Sequence, residues 1–264
     1  MKPFPKAVLY VLGSILVIVA ILFASRLANA GGSKAPKVGE PPSHRKPASG
    51  AAVYKVPNNF TLKSCADVFA AAKKLKGSTA ACSDGKGTWD LKGGILDGVN
   101  QKGDGGQNEN QENLASVRLK LIIRNGFVRN TKNGLTLYAV GSGVERLTFT
   151  HVGEDALATT RGAYDITIKD CEFIGREGND KQIQLNEAKG ARIVGNLIFG
   201  TVTGMRIGDS NTTAVSEVAE VGNNRFVDVD TAYHVSKITV KELTASKYDN
   251  VKTEWKFANG GKRK

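Results

Sequence analysis

Three groupings in this 264-residue sequence carry side chains of the kind that do ionic and acid–base chemistry. Glu154-Asp155 follows Gly153 as a carboxylate pair, Lys181 follows Asn179-Asp180, and Arg206 ends the triplet Gly204-Met205-Arg206. Read singly, the acidic pair is a solvated turn, Lys181 closes a turn and Arg206 is a surface strand residue. They become a site only if the fold gathers them. Other chemistries are excluded by what is missing. His151 and His234 have no cysteine or histidine at zinc-ligand spacing. Asp155, Asp165 and Asp170 do not form the carboxylate cluster of a glycoside hydrolase. Neither a nucleophile elbow nor a phosphate loop is present.

The elements that must position these residues are short strands. Glycine is frequent at 30 residues, against 7 prolines and 7% aromatics, which suits tight turns between strands better than a helical bundle. With 41% hydrophobic and 23% charged residues the composition is globular, neither collagenous nor disordered. From Thr88 onward, apolar runs alternate in polarity and are punctuated by Gly, Asn and Asp, as at Leu121-Ile122-Ile123, Ile166-Thr167-Ile168 and Val218-Ala219-Glu220-Val221. Phe127, Phe173, Phe199 and Phe226, each shortly after Asn or Asp, register a coil of roughly 23 to 27 residues, with one coil near Phe149. Strands at that period predict an all-β solenoid, a parallel β-helix, each coil burying its face against its neighbours. A leucine-rich repeat would need regularly spaced leucines; a β-sandwich is the alternative reading. The spacing of Val68, Phe69, Ala72 and Leu75 predicts a helix from the Ser64 cap to Lys76, placed to cover the first coil, with Trp255 and Phe257 covering the last. Cys65 and Cys82 flank that helix and are read as a disulfide, buried free thiols being the alternative; Cys171 is read as core.

The net charge of +12 sits mostly at the ends: residues 1–52 carry +6 and residues 252–264 carry +4, leaving +2 for the body. A nucleic-acid partner argued from charge alone therefore has no motif behind it. Ala7–Ala24 is uncharged and apolar, between Lys2 and Lys6 on one side and Arg26 on the other, and reads as membrane-inserting with the remainder exported. Ala28-Asn29-Ala30 resembles a signal-peptidase site, so residues 1–30 are either a cleaved signal or a retained anchor. Residues 31–52, rich in proline and poor in large apolar side chains, read as a flexible linker with a solvated His44, and residues 53–264 as the solenoid domain. The expected location is outside the cytoplasm, secreted or membrane-anchored, with a monomer as the expected state.

Over roughly residues 88–240 the sequence resembles the third family of polysaccharide lyases, secreted pectate lyases built on a right-handed parallel β-helix. Four stretches carry the likeness: Gly103–Gln111, Val152-Gly153-Glu154-Asp155-Ala156, Asp180–Asn186, and Gly204-Met205-Arg206. The resemblance implies calcium-dependent β-elimination on polygalacturonate or a related acidic polysaccharide, the cation neutralising the uronate carboxylate beside the proton to be removed. It implies Asn133, Glu154 and Asp155 as calcium ligands, Arg206 and Lys181 as catalytic residues, and Lys181, Lys132 and Arg161 as substrate-binding residues. Two positions depart from the family pattern. Asn133 replaces an aspartate, with one extra residue in Ala139–Gly143, and Thr203 stands where a second basic residue is found. A noncatalytic β-helix that binds acidic glycans is the alternative these departures favour.

Overall fold

The computed structural model describes residues 40–57, 60–98, 113–175, 181–208 and 218–264. The N-terminal segment 1–30, the linker as far as residue 39 and the Gly103–Gln111 stretch lie outside them. Within them the chain is a parallel β-solenoid of about six turns with one short helix. Among the described residues the antiparallel exception is the hairpin of Thr79–Ser83 with Lys86–Asp90. No helix among these residues is long and apolar enough to cross a membrane.

Each turn contributes to three parallel faces. Face one stacks Ala115–Val117, Leu135–Leu137, Leu157–Thr159, Ile183–Leu185, Met205–Ile207, Tyr233–Val235 and Trp255–Phe257. Face two stacks Ile122–Arg124, Gly143–Glu145, Thr167–Lys169, Arg192–Val194 and Glu220–Gly222. Face three runs from Gly126–Arg129 through Thr148–Thr150, Glu172–Ile174 and Leu197–Phe199 to Arg225–Val227 and Lys247–Asp249. Strands begin at Val53, well before Thr88, the first of them only two or three residues long.

The corner between faces two and three explains why this sequence coils. Asn125, Arg146, Asp170, Gly195 and Asn223 occupy successive turns there, and all have φ between 50° and 70°. One left-handed residue redirects the strand, and Asn, Asp and Gly tolerate that conformation best. Contacts between adjacent turns near this corner join residues separated by 21, 24, 25 and 28 positions, so coil length varies more than expected.

Just past the corner, a buried asparagine ladder runs along the interior. Asn196 Oδ1 accepts the Cys171 amide at 2.9 Å, and Asn224 Oδ1 accepts both the Asn196 amide and its Nδ2, each at 3.0 Å. Asn196 Nδ2 also lies 3.1 Å from the Ile168 carbonyl, and Asn224 Nδ2 donates to the Ile193 carbonyl at 3.0 Å and to Tyr233 Oη at 2.9 Å. Cys171, at the head of the ladder, is core as expected, and burial pushes its thiol up to about 12.

The aromatic repeat is present with a different register. The inward column of face three is Val128, Phe149, Phe173, Ile198, Phe226 and Tyr248, with Phe149 and Phe173 stacked at 4.9 Å. Phe127 and Phe199 are each one position off it, beside Thr148 and Val227. Since side chains alternate across a strand, one step moves a residue off that column, although Phe199 is still buried.

The helix Cys65–Lys74 starts at Ser64 in a reciprocal capping box with Asp67. It buries Val68 and Ala71, followed by Leu75, at the first turns, while Phe69 is 40% exposed and does not belong to the packed stripe. Cys65 and Cys82 are joined, with Cα atoms 5.3 Å apart, tying the helix to the hairpin. At the other end Trp255 stacks on Tyr233 at 4.1 Å, with the Arg263 guanidinium 4.8 Å from the Trp255 ring centre. Phe257, at 45% exposure, only partly shares in that closure.

Part of the proline-rich segment preceding the domain is fixed to face three. Glu172 Oε2 accepts the Arg45 amide at 2.9 Å and lies 3.1 Å from Arg45 Nε, and Arg45 Nη2 donates to the Leu147 and Asp170 carbonyls. His44 Nδ1 lies 3.0 Å from the Pro42 carbonyl. Glu172→Gln removes the anion from this latch and is expected to raise trypsin cleavage after Arg45 about tenfold, as a charge-assisted bond worth about 1.5 kcal/mol would. Peptide mapping of the digest checks this.

Candidate functional site

The strand register gathers most of the residues singled out by type. Asn133, Asp155, Lys181 and Thr203 occupy successive turns at the edge of face one. Asn133 Oδ1 accepts the Asp155 amide at 3.1 Å, Lys181 Nζ lies 3.4 Å from Asp155 Oδ1, and Lys181 is in register with Thr203. Three residues further along each strand is a second column: Ser116, Thr136, Ala158, Gln184, Arg206, His234 and Lys256. Its flanking residues as far as Tyr233 and Val235 are buried, as Met205 and Ile207 are beside Arg206, while Lys256 lies between half-buried Trp255 and exposed Phe257. Alternation therefore turns this column outward. Arg206 is half-buried on the outer surface, one turn from Lys181 and two from Asp155.

Gly204 makes this arrangement possible. A Cβ there would come within 2.7 Å of the Phe226 ring and 2.9 Å of the Ala232 carbonyl. The neighbouring turns place Gln182 and Ala232 at the same level, both buried. Two consecutive positions thus face inward before Arg206, and the chain bends so that both Thr203 and Arg206 lie on the outside. The extra residue in Ala139–Gly143 leaves the strands on either side in register, Leu135 with Leu157 and Gly143 with Thr167.

Each carboxylate of the acidic pair faces a lysine. Lys132 Nζ lies 3.3 Å from Glu154 Oε1, with Glu154 half exposed, and the Lys181–Asp155 pair is more enclosed at 17% side-chain exposure on both partners. Asn133 turns its carbonyl oxygen toward the Asp155 amide. Asn133, Glu154 and Asp155 together offer two carboxylates and one amide oxygen, where calcium takes 6 to 8 oxygen ligands. Two ammonium groups balance the two carboxylates, and the one neutral oxygen is engaged with backbone. Among the described residues there is no cluster of three or more His, Cys, Asp or Glu that could hold a metal ion.

Arg161 is not brought into the site. It is exposed in the turn after Leu157–Thr159, at the opposite end of that strand from Asp155. His151 is an exposed corner residue with φ of 53°. Two residues of the outward column were not read as site residues: His234, weighed above only as a zinc ligand, and Lys256. Burial holds the His234 imidazole below its ordinary range, and the Lys256 and Arg206 charges add to this. The signal that finds them is register: they continue the Arg206 column on the next two turns.

The chain matches no protein-family model and no curated protein.

Proposed function

We propose that this solenoid binds acidic polysaccharide of the polygalacturonate class along face one, outside the cytoplasm. The observation that carries the reading is the convergence of Lys181 and Arg206, from adjacent turns, onto one outer surface. A guanidinium fixed by buried neighbours suits a planar carboxylate, which it can bind through two parallel hydrogen bonds. A linear acidic polymer supplies such groups repeatedly. In affinity electrophoresis, polygalacturonate is expected to retard the full chain and neutral dextran to leave it unaffected. Arg206→Ala is expected to weaken retardation about tenfold, the size of one lost charge-assisted hydrogen-bonded contact. Equal retardation of both proteins would remove Arg206 from the site.

A second reading, a polysaccharide lyase, is favoured by the outward, half-buried position of Arg206. In β-elimination the neutral guanidine form of Arg206 would accept the proton from C5, the C5–H electron pair would become the C4=C5 double bond, and the C4–O bond would break with its pair leaving on the glycosidic oxygen, which water protonates. Growth of ultraviolet absorbance from the unsaturated product, followed with and without added calcium, separates this reading from binding alone. Product with the wild type and none with Arg206→Ala establishes elimination; retardation without product leaves a binding protein.

A further inference from the structure

The outward column of face one changes character along the solenoid axis. Its first positions, Ser116, Thr136 and Ala158, are small and uncharged; Gln184 follows, and Arg206, His234 and Lys256 then occupy three successive turns. Adjacent parallel strands are about 4.8 Å apart, so the three basic side chains are held at strand spacing. They come from strands tied together along their length, Leu197–Ile207, Arg225–Ser236 and Lys247–Ala258, so the backbone cannot separate them without breaking its ladder. The charged groups of described residues acting on His234 are Arg206 on one neighbouring strand and Lys256 on the other, both positive. Arg206 and Lys256 place like charge on both sides of His234, and an anionic polymer along the axis would offset the charge of each basic group it passes.

We propose that Arg206, His234 and Lys256 form a three-rung ladder for the carboxylates of an acidic polymer, and that His234 takes up a proton when the polymer binds. This rests on the acidic-polysaccharide reading and adds to it a direction, from Arg206 toward the C-terminal turns, and a dependence on pH. The sign follows from the surroundings. Without ligand, burial and two flanking cations keep the imidazole neutral near pH 7. A bound carboxylate favours the imidazolium, so His234 titrates at higher pH in the complex. Affinity therefore rises as pH falls through the interval between the bound and free values, and is flat above it. Uronate carboxylates stay ionised throughout, since such groups titrate near pH 4.

The test is calorimetry of the full chain in non-ionic detergent with polygalacturonate, and separately with dextran sulfate, from pH 5.5 to 7.5 in buffers of different ionisation heat. The wild type is expected to bind polygalacturonate about tenfold more tightly at pH 5.5 than at 7.5, the effect of a one-unit shift, with net proton uptake. His234→Gln is expected to abolish both uptake and pH dependence, while Lys256→Ala weakens binding about fivefold and keeps the uptake. Circular dichroism on each variant confirms that the solenoid is intact. Polygalacturonate binding with the same pH dependence in His234→Gln overturns the ladder and leaves the polysaccharide reading standing. Binding of dextran sulfate with His234-dependent uptake, but none of polygalacturonate, does the reverse. Binding of neither polymer overturns both.

Discussion

Replacing Asn224 with Ala is expected to lower the stability of the solenoid by about 3–5 kcal/mol, the largest loss from any single side chain discussed above. The Asn224 side chain accepts from the amide and the side chain of Asn196 and donates to the Ile193 carbonyl and Tyr233 Oη, all in the interior. Truncation strands the Asn196 amide away from water and leaves a cavity beside Phe226 and Tyr233, rings that meet edge-on at 4.8 Å. Tyr233 keeps a partner, since its hydroxyl also lies 2.8 Å from Ser246 Oγ. Asn224→Asp retains the acceptor but places a carboxylate in the core, so it is expected to rescue poorly. Urea denaturation followed by tryptophan fluorescence measures both losses, because Trp255 stacks directly on Tyr233. An Asn224→Ala midpoint within error of the wild type would mean that the ladder does not hold the turns together.

The second large effect concerns the opposite end. Opening the Cys65–Cys82 bond, by reduction or by the double substitution to Ala, is expected to cost about 3 kcal/mol. That is the chain-entropy estimate for a closed loop of this length, with 17 residues of sequence separation. The cost should fall on the first turns. The bond joins the start of the helix to a hairpin strand, and the helix, with Val68 and Ala71 buried, packs against the strands Thr61–Leu62, Thr79–Ser83 and Lys86–Asp90. Hydrogen exchange is therefore expected to accelerate from Val68 to Trp89 on reduction and to remain unchanged over the asparagine ladder. Uniform acceleration along the chain would contradict this, because a solenoid turn is stabilised mainly by its immediate neighbours.

The sequence makes the fold legible where local chemistry and tertiary packing agree. Asn and Asp before an apolar pair mark the corners, since the left-handed backbone they tolerate is what bends each coil. Ser64, with Asp67 three positions on, marks the start of the helix. The exact register was not legible. Counting phenylalanines groups Phe127 and Phe199 with Phe173 and Phe226, but the inward column takes Val128 and Ile198 in their place, and any large apolar residue fills it equally well. Phe69 fails for a similar reason: it satisfies helical spacing, yet the packed stripe is set by what the helix lies against.

For the candidate site, the residues on adjacent turns were recoverable as short motifs, Glu154-Asp155 and Lys181 among them. The pairing of each carboxylate with a lysine was not, because Lys132 and Lys181 reach their partners from neighbouring turns. Arg161 lies near the acidic pair in sequence but at the other end of the strand. His234 and Lys256 belong to no motif, and only the stacking of strands reveals that they continue from Arg206.

The left-handed corners have one more implication. Because a single residue at each bend sets the direction of the next strand, extra length can collect in the turns while the stacked faces keep their alignment. Insertions in such a molecule are decoupled from its interior. A lineage can therefore remodel the outer surface, one turn at a time, without redesigning the core that supports it.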